Sequence, residues 1–265
     1  MGLAIDTVGF VATNPGALLA ATASTGDSFT VRNFAQTDSA KLLALGRQGV
    51  TEGLVRVRSA LLHDFVRGIM FTPSETPAAV LLPRSVSQLL HPQDVLTVEL
   101  GGGAAEVDAG YFQVAYSNLP GGGARLHMLA DIDSIIKNIK PVEVDFNTAA
   151  VAGQWQDTTI VTTENLLHAN TDYAVLGYVV DIACLAFGIK GIDTSNLRVC
   201  GPGVVRSEVT SNYFVNLSND TGLPTIPVIN SANAGGLFAS CIAVATGAAI
   251  KGQLILAELA QTVTP

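Results

Sequence analysis

Charge is what this sequence has least of. Only 14% of its 265 residues are Asp, Glu, Lys or Arg, against about a quarter in an average soluble domain. The 14 Lys and Arg are outnumbered by 22 Asp and Glu, giving a formal net charge of −8. That balance argues against nucleic-acid binding by the chain as a whole, which needs dense cations opposite phosphates. It leaves room for one locally basic face, and no specific nucleic-acid partner is expected.

Residues that carry chemistry are also sparse. The three cysteines, Cys184, Cys200 and Cys241, are odd in number, widely spaced and without a CxxC. Neither a disulfide framework nor a zinc site is supported, and buried reduced thiols are expected. The four histidines, His63, His91, His127 and His168, fall in no HExxH or ligand spacing. His91 and His168 read as turn anchors, with Asp94 and Asp172 three and four residues on. Gly101–Gly103 follows a strand-like segment but leads into another strand rather than a helix with Lys-Ser/Thr, so it reads as a hairpin loop and not a phosphate cradle. No GxSxG elbow occurs. No catalytic residue, cofactor or metal is assigned, and enzymatic activity is not expected.

Two acidic pairs, Asp131/Asp133 and Glu143/Asp145, would share one face of a strand. A solvated face is the default reading, and calcium in a subunit interface is the other. The longest apolar stretch, Gly236–Ile250, is shorter than the ~20 residues of a spanning helix and reads as a buried core element. The first ten residues lack a basic segment followed by an apolar run, so synthesis in a cytoplasm without a signal peptide is expected.

What the chain does have is apolar content, 48%, in short segments rich in β-branched and aromatic residues and punctuated by Gly and Pro. Strands are predicted over Ser28–Phe34, Leu54–Leu62, Gly68–Thr72, Ala79–Leu82, Val95–Leu100 and Tyr111–Tyr116. In the second half they are predicted over Val142–Phe146, Thr158–Thr162, Tyr173–Val180, Ala183–Ile189, Leu197–Cys200, Asn212–Leu217, Thr225–Ile229 and Gln253–Leu259. In Leu54–Arg58, Val55 and Val57 alternate with Arg56 and Arg58, which places both arginines on the face opposite the core. Short helices are predicted around Ser85–Leu90, Ile132–Ile139, Asn165–His168 and Gly236–Ala249. The fold class is mainly β: two tandem antiparallel β-sandwich or jelly-roll units with a few short helices. The expected divisions are an N-terminal arm or short helix over 1–27, a first unit over 28–135 and a second over 136–265. Pro141 is taken to restart a strand after SIIKNIK.

Leu61-Leu62-His63 is echoed by Leu166-Leu167-His168, and Tyr111-Phe112 by Tyr213-Phe214, at offsets of 105 and 102. On these paired landmarks, the low charge and the small-residue N-terminus, the chain resembles the double jelly-roll major capsid proteins of tailless icosahedral viruses. That resemblance implies a capsomer, usually trimeric, in a virion shell, made in the host cytoplasm. Few segments are long enough for tower loops, and a tandem arrangement of another kind, as in other phage shell proteins, fits nearly as well.

A charge-poor surface is kept from solvent by neighbours, since interface cores are depleted in charge. The chain itself is therefore the expected partner, in a homo-oligomer, alongside other virion proteins. Whether a membrane or a genome meets the inner face is left open. Arg56 and Arg58 are expected to meet an acidic neighbour. Tyr213, Phe214, Trp155 and the uncharged run Ile226–Gly236 are expected to pack against another copy. The alternative is a sandwich binding module, such as a phage fibre, decoration or carbohydrate-binding protein, which would call for clustered surface aromatics. Aromatics are 6% and dispersed.

Overall fold

The computed structural model describes residues 2–13, 16–34, 40–48, 53–61, 68–71, 78–81, 88–103, 107–119, 123–146, 150–160, 167–181, 183–203 and 210–264. The first ten strands are β1 (Gly2–Thr13), β2 (Leu19–Ala20), β3 (Thr22–Ala23), β4 (Ala40–Gln48), β5 (Val55–Arg58), β6 (Ile69–Phe71), β7 (Ala78–Leu81), β8 (Gln88–Leu90), β9 (Thr97–Leu100) and β10 (Val107–Leu119). They are followed by β11 (Leu126–His127), β12 (Ile136–Phe146), β13 (Trp155–Thr159), β14 (Asp172–Val180), β15 (Cys184–Lys190), β16 (Arg198–Pro202), β17 (Ile226–Asn230), β18 (Phe238–Ala243) and β19 (Ile250–Leu259).

These strands make two sandwiches, and every pairing between named strands is antiparallel. The first sets the sheet β3-β1-β10-β4-β7, with β8 also on β4, against β2-β9-β5-β6. Its core holds Phe10, Phe29 and Phe112, ring centroids 6.2–6.3 Å apart, together with Val55, Val57 and Leu100. The second sets β13-β18-β15-β16 against β11-β17-β14-β19-β12. Phe187 of β15 packs there on Phe146 of β12 and Tyr178 of β14. The mainly β, double-sandwich expectation stands.

The sandwiches themselves are stacked. Ala109 and Tyr111 on β10 pack against Leu185 and Ala186 of β15, Cys200 of β16 and Ile242 of β18. The result is four sheets in layers, with central strands of the two inner sheets, such as β1, β15 and β18, buried on both faces. A strand of that kind loses its apolar/polar alternation. This explains the main correction. Residues 2–13, expected as an arm or short helix, are the long strand β1, buried along nearly its whole length. One face of β1 carries Val8, Phe10 and Ala12 into the first core. The other meets the second sandwich at Gly9, where a Cβ would come within 2.6 Å of Ile242 Cδ1.

Four further expectations change. The chain crosses between sandwiches after β10, since β11 already pairs with β17 of the second, so the division falls before residue 126 rather than at 135. Pro141 restarts nothing: it sits inside β12, an edge strand, where a missing N–H is tolerated. Lys137, Lys140 and this proline blunt an otherwise sticky edge. Phe238–Ala243, expected as part of a helix, is strand β18 between β13 and β15. Asn212–Leu217, expected as a strand, falls in the helix Tyr213–Thr221. Its buried residues Tyr213, Phe214, Leu217, Ser218 and Thr221 follow a helical period, and Gly222 ends it at φ 64°.

Candidate assembly surfaces and the junction between sandwiches

Val55 and Val57 bury their side chains from β5 while Arg56 and Arg58 project from its other face. Arg56 lies directly opposite Glu99 of β9. Its Nε donates to Glu99 Oε2 at 2.5 Å, and the Arg58 guanidinium donates to Oε1 at 2.9 Å. The acid expected on a neighbouring copy is thus supplied by the same chain. Burial pushes the Glu99 carboxyl up, but the hydrogen bonds from the two arginines together outweigh it and hold the group below its ordinary value. Met70, opposite Arg56 on the edge strand β6, is 54% exposed on this sheet.

A second surface lies on the other sandwich. The run Ile226–Gly236 divides into buried β17 and a 3-10 helix, Ser231–Gly236, at the surface. Asp193, in the 3-10 turn Ile192–Thr194, accepts from the Asn230 N–H at 3.1 Å and the Asn233 amide at 3.0 Å. Arg125 spans Asp172 at 2.5 Å and Asp193 at 3.5 Å, and also donates to the Val263 carbonyl at 2.6 Å. Burial raises the Asp172 carboxyl, yet Arg125, the Val263 N–H and the Asn230 amide together bring it below the ordinary range. One arginine and two aspartates are thereby drawn inward. Above them Ile192 is 61% exposed, and Gly235 and Gly236 border open space.

The pattern is general. Each described arginine is paired with a carboxylate of this chain: Arg32 with Asp6, Arg47 with Asp108, Arg56 and Arg58 with Glu99, Arg125 with Asp172, and Arg198 with Asp157. The Arg47–Asp108 pair is wholly buried in the first sandwich.

Tyr213 and Phe214 are not surface contacts. Both are buried, and their rings pack on Tyr178 of β14. The Tyr213 hydroxyl donates to Gln113 Oε1 of β10 at 3.0 Å, the Gln113 amide donates to the Cys200 carbonyl, and the Cys200 N–H donates to Thr7 Oγ1 of β1 at 3.1 Å. These residues hold the junction between sandwiches. Sequence reasoning missed Gln113 and Thr7. The available signal was a single polar residue inside an otherwise apolar strand, as in Gly110-Tyr111-Phe112-Gln113-Val114-Ala115-Tyr116. Trp155 also faces inward: its indole N–H donates to Asp27 at 2.6 Å, and the Arg198 guanidinium stacks on its ring at 4.7 Å.

The proposed internal echo is not structural where it can be compared. Tyr111-Phe112 lies on a strand and Tyr213-Phe214 starts a helix. The Leu-Leu-His echo falls partly outside the described residues. All three cysteines are buried free thiols, and burial pushes the Cys184 and Cys200 thiols far up. His91 and Asp94 close a turn through their backbones at 3.1 Å. His168 Nδ1 instead lies 3.1 Å from Glu258. Asp131 and Asp133 lie in short helical turns rather than on a strand. Glu143 and Asp145 do share the outer side of β12. Among the described residues no three His, Cys, Asp or Glu side chains gather as a metal site, and no helix is long and apolar enough to cross a membrane.

No protein-family model matches the chain, and no curated protein matches it. Among solved structures it is similar to the PBSX exported protein XepA, at 8% identity over 96% of this chain and 86% of that one, with a TM-score of 0.28. A second likeness is to a chain from the structure of Sulfolobus Turreted Icosahedral Virus, at 9% identity over 99% and 81%, TM-score 0.26. A third is to the major capsid protein P2 of Bacteriophage PM2, at 9% identity over 99% and 100%, TM-score 0.22. At scores this low the likeness says nothing of what the chain does.

Proposed function

We propose that the chain is a structural subunit that assembles with copies of itself, as the major capsid protein of an icosahedral viral shell. The carrying observation is the fate of its arginines. Each described arginine is consumed by a carboxylate of the same chain, in a sequence only 14% charged. Exposed charge remains elsewhere, as at Lys137 and Glu143 of β12, but the patches around Met70 and around Ile192 and Ser231–Gly236 are apolar, uncharged or ion-paired within the chain, and such patches pack against a neighbour without stripping water from unpaired ions. Stacked sandwiches with a shared buried junction make a stiff block, and weak contacts repeated over many copies of such a block add up through multivalency. The outer faces bearing Arg56, Arg58 and Met70, and Ile192 with Ser231–Gly236, are the proposed contact regions. No catalytic role is assigned. Size-exclusion chromatography with negative-stain imaging of the purified chain tests this: rings, trimers or closed particles are expected. A monodisperse single-copy species at high concentration would defeat it.

A further inference from the structure

One corner of the junction gathers more ionisable groups than packing requires. Asp27, in the turn after β3, has a side chain only 4% exposed. Its Oδ2 accepts from the Gly9 N–H of β1 and from the Trp155 indole N–H of β13, each at 2.6 Å. The nearest cation, Arg198 of β16, stands 3.5 Å from Oδ1 and is shared: it also bonds Asp157 at 3.1 Å and covers the Trp155 ring. Lys190 reaches the same Asp157 at 3.6 Å. Asp6 of β1 is buried beside Asp27. Its partner Arg32, at 2.7 Å, is itself 46% exposed, and the Tyr116 hydroxyl accepts the Arg32 N–H. The turn is tied across the junction by two more bonds, from the Ser24 hydroxyl to the Gly153 carbonyl and from the Thr25 N–H to Gln154 Oε1.

We propose that Asp27, with Asp6 beside it, is a proton-responsive clasp between the two sandwiches, tightest when the pair holds a proton and slackened when both are ionised. Stacking strips water from two like charges at once. The two guanidiniums that should compensate are divided, Arg198 among two carboxylates and a ring, Arg32 between Asp6 and solvent. Burial is accordingly the largest influence on both carboxyls, and it raises both above their ordinary value of 3.8 despite the opposing hydrogen bonds. A carboxyl raised by stacking takes up a proton as the sandwiches close. Its favourable contribution is complete below pH 3.8 and is lost as pH rises through the folded-state value. An ordinary interdomain salt bridge would behave in the opposite sense.

Trp155 is the single tryptophan of the chain, so its emission reports on Asp27 directly. The test titrates the emission of the full chain from about pH 4 to pH 7 and follows Tm in parallel, for the native sequence and for Asp27→Asn. The native emission is expected to titrate above pH 3.8, and the titration is expected to vanish in Asp27→Asn. The variant is also expected to gain Tm relative to the native chain as pH rises. A titration that survives in Asp27→Asn overturns the clasp. So does a variant that loses ground as pH rises, the mark of a stabilising ion pair with Arg198. Asp6→Asn gives an independent reading: removing the like charge is expected to move the native emission midpoint to lower pH, and an unchanged or higher midpoint contradicts the paired arrangement.

Discussion

Tyr213 and Gln113, a hundred positions apart, meet in the interior, the phenol donating to the Gln113 carbonyl oxygen at 3.0 Å. The same glutamine donates to the Cys200 backbone on the next sheet. One side chain thereby ties β10 of the first sandwich to both β16 and the helix Tyr213–Thr221 of the second.

Gln113→Leu leaves the Tyr213 hydroxyl without its acceptor inside the junction and takes one of two side-chain donors from the Cys200 carbonyl, the Thr7 hydroxyl remaining at 3.2 Å. A loss of about 1–3 kcal/mol in unfolding free energy is expected from that kind of deletion. Urea unfolding measures it. A variant as stable as the native chain would mean that the junction does not depend on this bond.

Tyr111 makes the opposite prediction. Its ring fills the junction, and the backbone of Gly46 lies so close that no Cβ fits there. Its hydroxyl is buried without a hydrogen-bond partner among the described residues, and burial pushes the phenol far above its ordinary value. Tyr111→Phe removes only that hydroxyl and should stabilise by about 1 kcal/mol. Thermal unfolding of the variant checks the sign, and a lower Tm contradicts the assignment.

The buried Arg47–Asp108 pair crosses β4 and β10 inside the first sandwich. Arg47→Met would strand the carboxylate and should cost about 3–5 kcal/mol. Arg47→Met with Asp108→Leu should recover most of that loss, because the pair's attraction mainly offsets its own desolvation. A double variant no better than the single would show a further role for these groups.

Asp172 governs an acid limb. Its carboxyl is held below the ordinary 3.8, so its contribution is present above that pH and is lost as pH falls through the folded-state value. The difference in Tm between the native chain and Asp172→Asn should therefore be widest at neutral pH and close below pH 3.8. A difference constant with pH would remove Arg125 and the Val263 N–H as the cause.

Legibility in the sequence followed burial. Where one face of a strand meets solvent, alternation is visible: Val55/Arg56/Val57/Arg58 and Val142/Glu143/Val144 were placed correctly. Where both faces are buried the alternation disappears. β1 then read as an arm, and β18 as part of a helix. β4, with its Ala40-Lys41-Leu42-Leu43-Ala44-Leu45 run of good helix formers, gave no strand signal and is nonetheless central, because pairing with β10 and β7 overrides local propensity. The helix Tyr213–Thr221 was legible in hindsight from its 3.6-residue spacing and the glycine that ends it. The surface arginines were located by pattern, but their partner was not: Glu99 is 43 positions from Arg56, and only sheet register brings them together.

The central claim is that the apolar and uncharged patches of the outer faces, with the described arginines already paired inside the chain, drive self-association. Sedimentation velocity of the purified chain at low and at high salt tests it most directly. Large species that persist or grow at high salt are predicted, since screening weakens ionic contacts and leaves apolar ones intact. A monomer at every concentration, or assemblies that dissolve as salt is raised, would contradict it.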